Sequence, residues 1–253
     1  MTPPPSQVLP GRNAAFFLDI DGTLLDIVSL PAAVRAGAAD FELLTALYEA
    51  AGGAVALVSG RSIAGIDKIF APLRLPAAGQ HGVERRDARG RIRSHSLPDE
   101  QWLDAIAPLR SYAALHEGLI FEDKGLSVAL HYRLAPELEG EVRAAVQAAA
   151  AKVGERYEML PGKMVLELRP GGRDKGVAIR EFMREKPFAR RVPVFLGDDH
   201  SDEYGFALVN RLGGHSVKVG AGPTVARSSV ADPAAARAWL AQWIAAAPVE
   251  SGP

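Results

Sequence analysis

Apolar and polar positions alternate along this chain on two scales. Residues 16–20, 54–58 and 192–196 are short apolar runs, each stopping abruptly at polar or glycine residues: Asp21-Gly22-Thr23, Ser59-Gly60-Arg61 and Gly197-Asp198-Asp199. Between the first two lies a longer stretch, residues 40–52, that sets Phe41, Leu44, Leu47 and Tyr48 on one helical face and closes on glycine. Short buried strands separated by amphipathic helices predict an α/β chain with a parallel sheet covered by helices. Residues 63–70 read as a second helix and 77–84 as a third strand broken by glycine. The pattern changes from about residue 92 to 170. There it reads helix 99–116, strands 119–123 and 126–133, helix 136–153, and strands 156–160 and 164–169. An αββαββ order with hairpin-length loops predicts a small antiparallel sheet with two helices on one face, inserted as a lid. The α/β pattern then resumes with helix 175–186, strand 192–196, helix 203–212, strand 216–219 and a last helix at 233–247. The core is therefore expected in two pieces, 1–91 and 171–253, around a lid at 92–170, with residues 1–13 as a loose tail.

Composition narrows the function. Of the 253 residues, 29 Lys and Arg face 30 Asp and Glu, a net charge of −1 with no basic stripe, which argues against a nucleic-acid partner. The longest apolar runs fall far below the roughly 20 residues of a membrane-spanning helix. The proline-bearing start has no apolar stretch of the secretory kind, so a cytoplasmic location is expected, with a monomer favoured. Zero cysteines exclude a disulfide framework, a thiolate metal site and a cysteine nucleophile.

The polar ends of the three apolar runs carry the chemistry, because ligands of open α/β sheets bind outside the carboxyl ends of the strands. Asp19 and Asp21 are two apart and can face one cleft, with Gly22 permitting the turn. An ionised carboxylate attacks phosphorus directly, which suits Asp19, and a second, Asp21, can protonate the leaving alcohol and later activate water. Anion attack on a phosphate needs positive charge. Asp198, Asp199 and Asp202 crowd another strand end, and carboxylate oxygen is what Mg²⁺ prefers. The reading is Mg²⁺ held by Asp19, Asp198 and the carbonyl of Asp21, with Asp199 and Asp202 positioning waters or other ligands. Ser59, Gly60 and Arg61 open a helix as a phosphate-binding turn, and Lys175, beside Asp174 and Gly176, balances the aspartates or holds the phosphate. Each cluster alone has an ordinary alternative: an Asp-Gly turn, a solvated acidic loop, a surface lysine. Their joint order favours chemistry.

These residues resemble the haloacid dehalogenase-like phosphatases, through DIDGT at 19–23's carboxylates and turn, Ser59-Gly60-Arg61, Asp174-Lys175-Gly176 and the GDDHSDE segment at 197–203. Within that superfamily the chain is similar to the trehalose-6-phosphate phosphatase family, with Ser201 where the family typically has threonine. Further family-like segments are Gly79-Gln80-His81-Gly82-Val83-Glu84, Glu122-Asp123-Lys124-Gly125, His131-Tyr132-Arg133, and Pro161-Gly162-Lys163 leading to Glu167-Leu168-Arg169-Pro170. The resemblance implies a Rossmann-like core, a lid that closes over a sugar phosphate, and an aspartyl-phosphate on Asp19. It also implies that Glu122, Lys124 and Glu167 reach the sugar, with Gln80, His81, Gly82 and Arg133 as further substrate-side residues. Trehalose 6-phosphate is the implied substrate; sucrose or mannosylglycerate phosphate stays open, as more remotely do a phosphoacceptor module and a catalytically silent sugar-binding regulator.

Overall fold

The computed structural model describes residues 9–28, 33–95 and 98–246. Eight strands form one large sheet: β1 (Ala14–Leu18), β2 (Val55–Val58), β3 (Ala77–Gly79), β4 (Glu84–Arg86), β5 (Ile92–Ser94), β10 (Val192–Gly197), β11 (His215–Val219) and β12 (Ser228–Val230). Their spatial order is β12-β11-β10-β1-β2-β3-β4-β5. The six from β12 to β3 run parallel, while β4 and β5 are added antiparallel. Strand order reverses between β1 and β10, and a crevice opens at the carboxyl ends of strands where connections leave in opposite directions. In register Leu18 lies opposite Leu196, so the residues that follow each strand emerge side by side at that point.

Helices cover both faces. Ala14, Phe16 and Leu18 of β1 point into a core shared with α1 (Ala38–Ala50), α2 (Ile63–Phe70) and α7 (Pro233–Ala245). Ala15 and Phe17 point the other way, against α5 (Lys175–Phe182) and α6 (Glu203–Arg211), where Phe17 stacks on Phe188 with ring centroids 5.5 Å apart. All five β1 side chains are fully buried, which explains why the strand reads as an unbroken apolar run and not as an alternation.

The second sheet, ordered β6-β7-β9-β8, is wholly antiparallel: β6 (Ile120–Asp123), β7 (Val128–His131), β8 (Tyr157–Gly162) and β9 (Val165–Pro170). One face packs Val128, Leu130, Leu166 and Leu168 against α3 (Glu100–Leu115) and α4 (Glu139–Val153), through Trp102, Ile106, Leu109, Val142 and Val146. Period-2 alternation leaves Glu167 and Arg169 on the opposite face.

Three sequence expectations shift. The predicted third strand, 77–84, divides at a tight turn, Gln80–Gly82, into parallel β3 and antiparallel β4. Residues 92–94, expected to begin the lid, pair with β4 in the large sheet, so the chain first leaves that sheet after Ser94. Of the expected loose tail, residues 1–8 lie outside the described residues. The part that follows is held to the core: Trp243 Nε1 donates to the Pro10 carbonyl at 2.8 Å, and the Arg12 guanidinium sits 5.7 Å from the Trp243 ring centroid.

Candidate active site

Asp19 follows β1 directly, and its backbone N–H donates to Leu196 at 3.0 Å, which ties the first acidic turn to β10. Its side chain is buried and both oxygens are engaged: Thr23 Oγ1 donates to Oδ2 at 3.0 Å and Lys175 Nζ to Oδ1 at 2.7 Å. Lys175 owes its place to Asp174, which caps α5 by accepting from the Val177 N–H and so sets the lysine in the first turn, aimed at the crevice. The same ammonium donates to Asp202 Oδ1 at 2.7 Å. Asp202 Oδ2 accepts from the backbone N–H groups of Asp198 and Asp199 at 3.0 and 2.9 Å, folding the acidic loop back on itself. Lys218 Nζ donates to the Asp198 carbonyl from β11. The turn after Asp21 requires glycine: Gly22 has φ +81°, and a Cβ there would lie 2.3 Å from Asp198 Oδ2.

Asp19, Asp198 and Asp202, all buried, present oxygens within 4.8 Å of one another. Burial pushes the Asp19 carboxyl well above the usual carboxylate range; Lys175 pulls it back down, and repulsion from Asp202 and Asp198 adds to the rise. Burial likewise raises Asp198, against the pull of Lys163. Lys175 shows the complementary effect. Burial alone would lower its pKa, yet Asp19 and Asp202 raise it, so the ammonium stays charged. Asp19 and Asp202 share the buried Lys175 ammonium, while Asp198 is met by Lys163 from the lid and by Lys218 at its carbonyl. The three carboxylates form an all-oxygen donor set of the kind a hard divalent cation takes.

The neighbouring turn supplies the other ionic groups. Ser59 is buried after β2 and its Oγ accepts from the Arg61 N–H at 3.1 Å. Arg61 grips Asp21 with two hydrogen bonds of 2.6 Å, from its Nε and from a terminal guanidinium nitrogen. Gly60 leaves room for His81, whose Nε2 would lie 2.7 Å from a Cβ at that position. From the lid, Lys124 Nζ donates to Glu167 Oε2 at 2.8 Å, and His131 Nε2 lies 2.9 Å from Glu122 Oε2. Burial would raise Glu167, but Lys124 and His81 hold its carboxyl far below the usual range; burial would lower Lys124, but Glu167 and Glu122 raise it. One cleft is lined by Asp19, Asp21, Ser59, Arg61, Lys175 and Asp198 on the core side, and by Glu122, Lys124, Arg133, Lys163 and Glu167 on the lid side.

With that geometry fixed, comparison with known proteins is decisive. The trehalose-phosphatase family model matches residues 17–237, which take in most of both core pieces and the whole inserted segment. The chain belongs to the trehalose-phosphatase family. It is 43% identical over 226 residues to the trehalose-6-phosphate phosphatase of Escherichia coli (strain K12), covering 89% of this chain and 85% of that one. A probable trehalose-phosphate phosphatase of Sinorhizobium fredii is 42% identical over 209 residues, 82% and 78% of the two chains. Among solved structures, a trehalose-6-phosphate phosphatase related protein superposes with a TM-score of 0.78 at 30% identity, covering 91% of this chain and 97% of that one.

The structure brings most, though not all, of the residues expected from sequence to one cleft. Asp19, Asp21, Ser59, Gly60, Arg61, His81, Glu122, Lys124, Arg133, Glu167, Lys175, Asp198 and Asp199 all line the cleft. Gln80 and Gly82 do not. Gln80 is buried with its amide between Ser127 Oγ and Glu84 Oε1, and the Gly82 carbonyl accepts from Arg173 Nε at 3.1 Å. Asp202, expected in a supporting place, groups with Asp19 and Asp198, whereas Asp199 accepts from the His200 N–H at 2.6 Å at the mouth of the loop.

Three residues take places at the site that the sequence reading does not assign to them. Thr23 was visible only as part of a turn. Lys218 lies buried between Val217 and Val219 of β11, an apolar flank for a charge that could have been noticed. Lys163, at the β8–β9 turn, reaches across from the lid to Asp198 Oδ2 at 2.6 Å, a contact that no local pattern encodes.

Proposed function

We propose that this phosphatase hydrolyses trehalose 6-phosphate to trehalose and phosphate through an aspartyl-phosphate on Asp19, as the last step of trehalose formation. The observation that carries the reading is the buried group of Asp19, Asp198 and Asp202 around Lys175 Nζ, at the strand-order reversal of a trehalose-phosphatase chain. An Asp19 oxygen attacks phosphorus, and the bond from phosphorus to the sugar oxygen breaks. Asp21 gives its proton to the departing oxygen. Water then attacks the aspartyl-phosphate, Asp21 takes a proton from it, and the bond from phosphorus to Asp19 breaks to free phosphate. Lys175 holds Asp19 in line and offsets the charge of the phosphoryl oxygens, with the Ser59–Arg61 turn as a further donor set.

Asp21 is clamped by Arg61 in this state, so its turn as acid requires the guanidinium to move onto the incoming phosphate. Mg²⁺ would be held by Asp19 and Asp198, with the Asp21 carbonyl or Asp202 beside them, and when bound it neutralises phosphoryl charge. Glu122, Lys124 and Glu167 would read the sugar hydroxyls as charged acceptors and donors, and lid closure would exclude bulk water. A cytoplasmic, monomeric enzyme belongs to the same proposal; among the described residues no helix is long and apolar enough to cross a membrane. The test is phosphate release across trehalose 6-phosphate, sucrose 6-phosphate and glucose 6-phosphate, with added Mg²⁺ and with chelator. Turnover of the trehalose ester alone, abolished by chelator, is the expected result; equal rates on all three would overturn the substrate assignment.

A further inference from the structure

The core meets the lid at an unusual turn. Gln80 and His81 both have left-handed backbone, φ +49° and +56°, a conformation costly for residues with side chains and retained only where surroundings enforce it. The core holds the turn from one side, with the Gln80 and His81 N–H groups donating to the Arg61 and Ser59 carbonyls at 2.8 and 3.0 Å, and the lid holds it from the other. Ser127 Oγ, from the β6–β7 turn, donates to Gln80 Oε1 at 2.9 Å in a buried contact. His81 Nε2 lies 3.4 Å from Glu167 Oε2 on β9. Behind it the imidazole rests on Gly60 of the phosphate-side turn, so one ring touches both the core's anion turn and the lid's carboxylate.

Glu167 is then held from two sides at one oxygen, by His81 and by Lys124, while among the described residues its Oε1 is buried without a hydrogen-bond partner and lies in a cleft-lining residue. A carboxylate fixed through one oxygen with the other left to accept is prepared for a hydroxyl donor. Nε2 faces the carboxylate, so a ring that carries its proton on Nε2 donates to Glu167; burial lowers the His81 pKa and Glu167 opposes that fall. We infer that His81 is a positioning residue: a core-borne strut that sets the orientation of Glu167 on the closed lid, so that sugar recognition is completed only when the lid docks on the phosphate turn. This rests on the reading of Glu167 as a sugar ligand.

The experiment compares wild type, His81→Gly, His81→Asn, Glu167→Gln and the double variant His81→Gly/Glu167→Gln. The readout is the ratio of kcat/KM on trehalose 6-phosphate to that on p-nitrophenyl phosphate, which carries no sugar. Glycine removes the ring while relieving the backbone; asparagine tolerates the left-handed conformation and keeps an N–H donor. His81→Gly is expected to lower the ratio about tenfold, mainly through KM for the sugar ester, as for loss of one hydrogen bond to a charged group. His81→Asn should recover most of it, and in the Glu167→Gln background His81→Gly should add almost nothing. An equal loss on both substrates, or the same loss in both backgrounds, would overturn the inference. If Glu167→Gln itself leaves the ratio unchanged, the sugar-site reading fails first and the role of His81 falls with it.

Discussion

Replacing Lys175 by methionine removes the ammonium that donates to both Asp19 and Asp202 while keeping an unbranched side chain of similar length. Each contact is 2.7 Å, worth about 6 kcal/mol as a bare Coulomb term at an effective dielectric near 20. The desolvation of the ammonium offsets much of that, and removing one partner of a buried pair costs about 3–5 kcal/mol net. For a chain of this size the melting temperature should fall on the order of 10 °C. The pH dependence has a definite sign. Burial already raises the Asp19 pKa and Lys175 opposes the rise, so without the lysine the folded protein binds a proton more readily than the unfolded chain does. The variant's deficit is therefore largest near pH 8 and narrows toward about pH 5 as the carboxylates protonate. Urea denaturation of both proteins in chelator at the two pH values reads this directly. A deficit below about 1 kcal/mol at the higher pH, or one that widens on acidification, would refute the reasoning.

Asp19→Asn should lower turnover at least about a thousandfold while circular dichroism stays close to wild type, since the nucleophile is lost and the side-chain volume is not. Gly22→Ala places a methyl group on Asp198 at a left-handed turn; a stability loss of about 1–3 kcal/mol with weaker Mg²⁺ binding by calorimetry is expected, and unaltered Mg²⁺ binding would count against the turn's role. Asp202→Asn should weaken Mg²⁺ binding by tenfold or more, and Asp199→Asn by much less, because only Asp202 is buried and bound to Lys175. Glu167→Gln should cost about 3 kcal/mol near neutral pH. Because the folded-state pKa of Glu167 is lowered, that wild-type advantage is complete above the ordinary carboxylate pKa of about 4.5 and declines as pH falls further, which denaturation curves at stepped pH would show.

The legible parts of this fold are those written in local physics. The β1 run is apolar at every position because both faces are covered, and Asp174, Ser62 and Asp99 mark helix starts by capping α5, α2 and α3. Asp19, Asp21 and Asp198 could be found because each ends a strand. What escaped is long-range. Residues 228–230 form β12 only as the edge partner of β11, and β4 and β5 join the large sheet by pairing that their short polar sequences do not announce. The reversal at Gln80–Gly82 depends on two left-handed non-glycine residues, which propensity disfavours and lid docking supports. Lys163 on Asp198 and His81 against Gly60 are contacts between segments remote in sequence, so only the assembled sheets reveal them.

The central claim is that Asp19 takes up the phosphoryl group, and it can be observed without relying on rates. Trehalose 6-phosphate is mixed with the Mg²⁺-loaded protein, quenched in acid within milliseconds, and the digested peptides are weighed by mass spectrometry. A transient gain of one phosphoryl group on the peptide containing Asp19, absent with chelator and absent in Asp19→Asn, is the expected result. Phosphate release at full rate with no such gain, or the same gain on another residue, would contradict it.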